Sequence, residues 1–178
     1  MKRMQLVFLL CLVAATILCI YKIHQYKNSE TMAVPQYPLQ LNIVSKACED
    51  IELSCVIEEH DRTETIRSFS LRDEDDKLLA SMKSQHTENQ RMLGITFYTA
   101  ASEEDITEEC EKIILLGTRL SGGFKDEYQV YNQYVREFNS DKASGWQADI
   151  ENTSCEIAYE KMPERREYVV KIGFIAEQ

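Results

Sequence analysis

Histidine is scarce in this chain, at three in 178 residues. His24 follows an apolar run, which leaves His60 and His86 for the rest of the protein. Acid–base chemistry near neutral pH draws on this side chain above all others, so few catalytic arrangements stay open. The local patterns that would supply one are missing as well. No H-E-x-x-H, G-x-S-x-G, G-x-G-x-x-G or P-loop sequence occurs, and Ser121-Gly122-Gly123 has no neighbouring Lys-Ser/Thr pair to hold a nucleotide. There is no C-x-x-C, and the cysteine spacings are not those of a zinc site. Asp73-Glu74-Asp75-Asp76 lacks the glycine and the terminal glutamate of a calcium loop. The chain has no internal repeat and no low-complexity tract. No enzyme, metal or cofactor is therefore expected. A nucleophile, base and acid brought together only in space would leave no such trace. The cluster Glu58-Glu59-His60-Asp61 is the one local hint of a hydrolase-like site, though such a polar cluster after a strand is usually a solvated loop.

What the sequence does contain begins with residues 6–21, LVFLLCLVAATILCIY, which carry no charge. Extended to 4–23, the run is about long enough to cross a hydrocarbon core of ~30 Å as a helix. Lys2 and Arg3 precede it. A secretory signal would need small residues before a cleavage site. Cutting after Ala15 would leave an apolar new terminus, and Thr31 with Ala33 lies well past the run. The expectation is an uncleaved signal anchor over 6–23, a cytoplasmic N-terminus over 1–5 and a polar juxtamembrane linker over 24–38. A domain over 39–178 follows, periplasmic or at the cell surface or in a lumen according to the host. A cleaved signal or a buried core helix are the alternatives.

Beyond Glu30 the chain has 16 basic and 29 acidic residues, a net charge of −13. Such a domain repels phosphate backbones and anionic head groups, so nucleic acid is not an expected partner. Four cysteines belong to it: Cys48, Cys55, Cys110 and Cys155. On an oxidising membrane face they are candidate disulfides, with Cys48–Cys55 and Cys110–Cys155 as the expected pairs.

Alternation predicts a strand over 39–43, a second around Leu53, Cys55 and Ile57, a third over 65–71, and a further one through Leu93, Ile95 and Phe97. Residues 78–82 suit a strand or a helical turn. Ser102 with Asp105 resembles a capping box, followed by Ile106, Cys110, Ile113, Ile114 and Leu120 at helical spacing and a stop at Gly122-Gly123. A second helix opens at Asp126 and carries the stripe Tyr128, Tyr131, Val135 and Phe138. A hairpin pairs Cys155, Ile157 and Tyr159 with Tyr168, Val170, Ile172 and Phe174. These elements predict an α+β domain of five to seven mostly antiparallel strands with one or two helices on one face, after the N-terminal membrane helix. A β-barrel-like domain with a short helix is the runner-up.

The expected function is that of a membrane-anchored binding module that stabilises or modulates a protein partner. Tethering would raise the local concentration of that partner. Glu103 and Glu104 are candidate partner contacts on the acidic surface. A periplasmic antitoxin covering a basic cleft is a special case. A carrier or sensor of a small apolar ligand is the second reading, with Tyr128, Tyr131, Tyr134, Phe138 and Trp146 lining its cavity. The bland alternative for that aromatic set is core packing. Asn152-Thr153-Ser154 matches the N-glycosylation pattern.

Overall fold

A computed structural model describes residues 35–100, 106–138, 145–162, 164 and 167–177. The apolar run, Glu103, Glu104 and the expected cap at Ser102 lie outside the described residues. Among the described residues no helix is long and apolar enough to cross a membrane.

The first element among the described residues is a helix, α1 (Leu41–Asp50), where alternation predicts a strand over 39–43. The correction has a simple cause. The short alternating stretch runs into Val44, Ala47, Cys48 and Ile51, whose spacing puts all four on one helical face, and all four are buried. Leu39, just ahead of the helix, is also buried, and its N–H donates to Ser84 Oγ at 2.9 Å.

Four strands follow as a meander: β1 (Val56–Arg62), β2 (Ile66–Arg72), β3 (Leu78–His86) and β4 (Gln90–Ala100). Then come α2 (Glu108–Ser121) and α3 (Glu127–Phe138). Thr107 caps α2 by accepting the Cys110 N–H at 3.2 Å, and Glu108, Glu109 and Glu111 sit at its positive end. Gly122, at φ 64°, ends it where the glycine pair predicted. Asp126 Oδ1 caps α3 through the N–H groups of Tyr128 and Gln129 at 3.0 and 3.1 Å. A second meander closes the chain: β5 (Trp146–Ile150), which the sequence reading did not resolve, then β6 (Thr153–Met162) and β7 (Glu167–Glu177).

The seven strands form one antiparallel sheet in the order β1-β2-β3-β4-β7-β6-β5. The last strand of each meander meets the other at the centre, with β4 and β7 paired from Gln90↔Glu177 to Ala100↔Glu167. The sheet is open, with β1 and β5 as its edges, so the architecture is the α+β one rather than a barrel. Leu93, Ile95 and Phe97 of β4 join Val170, Ile172 and Phe174 of β7 on the face that packs against the helices. Burying each such side chain contributes roughly 1.5–3 kcal/mol. α2 lies closest to this centre. A Cβ on its Gly117 would sit 2.9 Å from Phe174 Cε2 and 3.1 Å from Ile95 Cδ1. Only a residue without a side chain lets the helix approach the sheet so nearly.

Candidate functional site: the open face of the sheet

The helices cover one face of the sheet, and the other face is built by strand register. One row of directly paired residues crosses all seven strands: Asp61, Ser68, Lys83, Gly94, Gly173, Glu156 and Gln147. These residues alternate with buried ones such as Phe69, Met82, Leu93, Phe174 and Cys155, so the row faces away from the core. Its middle holds two glycines directly opposite each other. The result is a dimple in a shallow trough of about 600 Å3.

The walls of the dimple differ in chemistry. Two residues along β4 and β7 in one direction stand Met92 and Ile175; in the other stand Thr96 and Lys171. Lys83 and Glu156 flank the glycine pair along the row. Gly94 is fully open, with no atom within 4 Å of an added Cβ. Gly173 serves a different purpose. The Glu156 side chain folds across it, and an added Cβ would meet Glu156 Oε1 at 2.6 Å. Lys171 is bound on its far side by Glu160 at 2.9 Å. The dimple is apolar at one wall and is flanked by Glu156 and by Lys83, which has no ion-pair partner among the described residues.

A polar cluster borders the trough at β1. A bulge between Glu59 and Asp61 leaves His60 outside the ladder and turns it toward β2. Its Nε2 lies 2.6 Å from Ser70 Oγ, and Ser68 Oγ donates to Asp61. Nucleophile and base are thus adjacent, but the third part of a triad is not. Asp61 is engaged by Ser68, and among the described residues no carboxylate meets His60 Nδ1. The backbone around Ser70 belongs to a ladder with β1 and β3, whose N–H groups are committed to neighbouring strands. An oxyanion would need N–H groups that point at it instead.

The aromatic residues singled out in the sequence are brought together, but inside the core. Tyr134 and Phe138 are fully buried, and Tyr134 packs on Trp146 and Phe174 with ring centroids 5.1 Å away in each case. Val130, Tyr134 and Phe138 form the buried stripe of α3, not Tyr128, Tyr131 and Val135. Tyr128 and Tyr131 make an edge-to-face pair, half-buried, on the flank of the helix. Trp146 alone touches a surface groove, with Gly145 and Gln147.

Cys48, Cys55 and Cys155 stand as thiols. Cys48, at the end of α1, is in hydrogen-bond contact with Cys55, just ahead of β1. Their contact splits the pair: Cys48 is held protonated, and the Cys55 thiol is lowered by the bond it accepts. Cys155 meets the Tyr134 hydroxyl, and burial pushes it from 9.0 up to about 11. A thiol whose folded value is raised contributes stability that is complete below its unfolded value and lost as pH climbs through the folded one. The domain should therefore lose stability between about pH 9 and 11. Burial raises Tyr37 and Tyr134 too, which extends the loss upward. Urea midpoints across this range should fall more steeply for the native chain than for a Cys155→Ala variant.

No family model, no curated protein and no solved structure matches this chain. Its function is therefore argued from the site alone. Glycine inside an alternating apolar pattern was the signal that could have found Gly94 and Gly173, because it marks close approach of another group. Nothing local marks Lys83 or Glu156 as their neighbours.

Proposed function

We propose that this protein is a binding module, held at a membrane by residues 6–23, that stabilises or modulates a protein partner docked on the open sheet face. The observation that carries the reading is the paired Gly94–Gly173 floor between Lys83 and Glu156. A dimple of this kind receives one protruding side chain, and such buried anchors supply most of the binding energy of a protein interface. Met92 and Ile175 suit the apolar part of that anchor. Lys83 and Glu156 fix its orientation through complementary charges on the partner. A small apolar ligand fits less well, because the aromatic side chains that would enclose it fill the core instead.

Gly94→Thr tests the reading with little risk to folding. Nothing lies within 4 Å of the new Cβ, and threonine suits a strand interior better than glycine. The variant should melt at or above the native temperature. A partner that co-purifies in fixed stoichiometry with the native chain from detergent-solubilised membranes should be lost from Gly94→Thr. It should be retained by Gln129→Ala, an exposed change on α3. Equal recovery with Gly94→Thr and the native chain would remove the open face as the docking site.

A further inference from the structure

The tripeptide Asn152-Thr153-Ser154 plays no part in the dimple, and no other asparagine of the chain opens an N-x-S/T pattern. Strand register places it. Ile150 pairs with Thr153, so Glu151 and Asn152 form the two-residue turn between β5 and β6, and both are exposed. The turn is held by its first residue: the Lys125 N–H, just ahead of α3, donates to the Glu151 carboxylate at 3.3 and 3.4 Å. Asparagine is common in turns because it tolerates left-handed backbone or bonds a nearby main-chain group. Neither reason applies here. The left-handed residue is Glu151, at φ 53°, and Asn152 itself stays outside that region. The Asn152 side chain bonds no group among the described residues. Turn geometry therefore does not call for asparagine at this position.

An N-linked glycan is bulky and hydrated, so a folded chain carries it only where the asparagine faces water. Asn152 meets that condition. Beside it lies an open groove of about 600 Å3, bordered by Asp149, Ser154, Ile175 and Glu177, with room for a first sugar. The dimple stays clear, because Glu156 lies further along β6, roughly 13 Å away at the rise of a strand. The rest of the tripeptide is committed to the fold. Thr153 is buried, and Ser154 is paired with Asp149 on one side and Ile175 on the other. A transferase has to hold all three residues in an open conformation. β7 is the last strand to be made, so β6 stays open along that side until synthesis is nearly complete.

We propose that Asn152 is an N-glycosylation site, modified on the extracytoplasmic side of the membrane before β7 closes on β6. The proposal rests on the reading of residues 6–23 as an anchor that places the domain there. The donor is an oligosaccharide linked to a polyprenyl diphosphate. The carboxamide nitrogen of Asn152 attacks C1 of the first sugar. A C–N bond forms as the C1–O bond to the diphosphate breaks; the lipid diphosphate leaves with the electron pair, and the amide gives up one proton. Nothing is oxidised or reduced. The glycan then shields the near end of the β5 edge, whose outer N–H and C=O groups would otherwise invite another strand.

The experiment uses the full-length chain isolated in detergent from membranes of the cells that make it, treated with peptide N-glycosidase F in heavy-oxygen water. The intact mass should fall by one glycan, and the peptide containing Asn152 should gain heavy oxygen at that side chain. Asn152→Gln and Ser154→Ala, made in the same cells, should show no fall, while Ser154→Thr should keep it. After deglycosylation Asn152→Gln should melt with the native chain, since the side chain bonds nothing, so loss of the glycan in that variant is not misfolding. Protease treatment of sealed vesicles from the same membranes reports separately on which side residues 39–178 lie. A domain on the extracytoplasmic side with unmodified Asn152 would overturn the glycosylation site and leave the anchor standing. A domain on the cytoplasmic side would remove the anchor reading and this proposal with it. A glycan that persists in Asn152→Gln would also overturn the assignment.

Discussion

Tyr134→Ala should lower the stability of the domain by about 4 kcal/mol, within the range for deleting a buried aromatic side chain. The side chain has no exposed surface. Its ring fills the space between Trp146 and Phe174, and its hydroxyl donates to the Gly173 carbonyl at 2.8 Å. Neighbours from α3, β5 and β7 converge on it, so collapse around the cavity would need three elements to shift. For a unit of this size such a loss corresponds to a Tm lower by roughly 10 °C. Tyr134→Phe separates the hydroxyl from the ring. It keeps the packing but removes one buried hydrogen bond, at a cost of about 1 kcal/mol. Circular dichroism melts of the three proteins measure both effects. Near-native stability of the alanine variant would mean that Tyr134 lines a cavity for a ligand, which is the role the sequence allowed it.

Oxidation of Cys48 and Cys55 to a disulfide should be the second large effect. The thiols are already in contact, and they bracket the connection between α1 and β1. Closing so short a loop restricts the unfolded chain by about 2.5 kcal/mol on the chain-entropy relation. The chemistry favours Cys55 as the attacking sulfur. It is half-buried while Cys48 is buried, and its thiolate is stabilised by the Cys48 thiol. Without oxidant, iodoacetamide should therefore label Cys55 first, and Cys48, Cys110 and Cys155 only on unfolding. In a buffer of oxidised and reduced glutathione the chain should lose two hydrogens at this pair, and its urea midpoint should rise. Cys48→Ser should show neither change. Persistence of both free thiols in the oxidising buffer would dismiss the disulfide.

The two halves of the fold were not equally legible. α2 and α3 could be read because their signals are local: Gly122 ends one helix, Asp126 opens the next, and apolar residues recur at helical spacing within each. The C-terminal hairpin was read for the same reason, since Cys155 to Tyr159 and Tyr168 to Phe174 alternate over lengths that one strand pair fills. α1 was misread because five alternating residues outweighed a stripe that starts only at Val44. On α3 the choice of face also failed. Offsets from Tyr128 and offsets from Val130 both satisfy helical periodicity, and only the position of the sheet selects Val130, Tyr134 and Phe138.

The types of α2, α3 and the alternating strands, the acidic charge, and a glycine within each of the two central strands are legible in the sequence alone. Each depends on residues a few positions apart, where backbone periodicity and capping act. Tertiary structure alone decided that Gly94 lies opposite Gly173, with Lys83 and Glu156 as the next residues out. Those neighbours are set by strand order and register across the whole sheet. A shift of one residue in the ladder between β4 and β7 would turn one of the two glycines to the other face and erase the dimple.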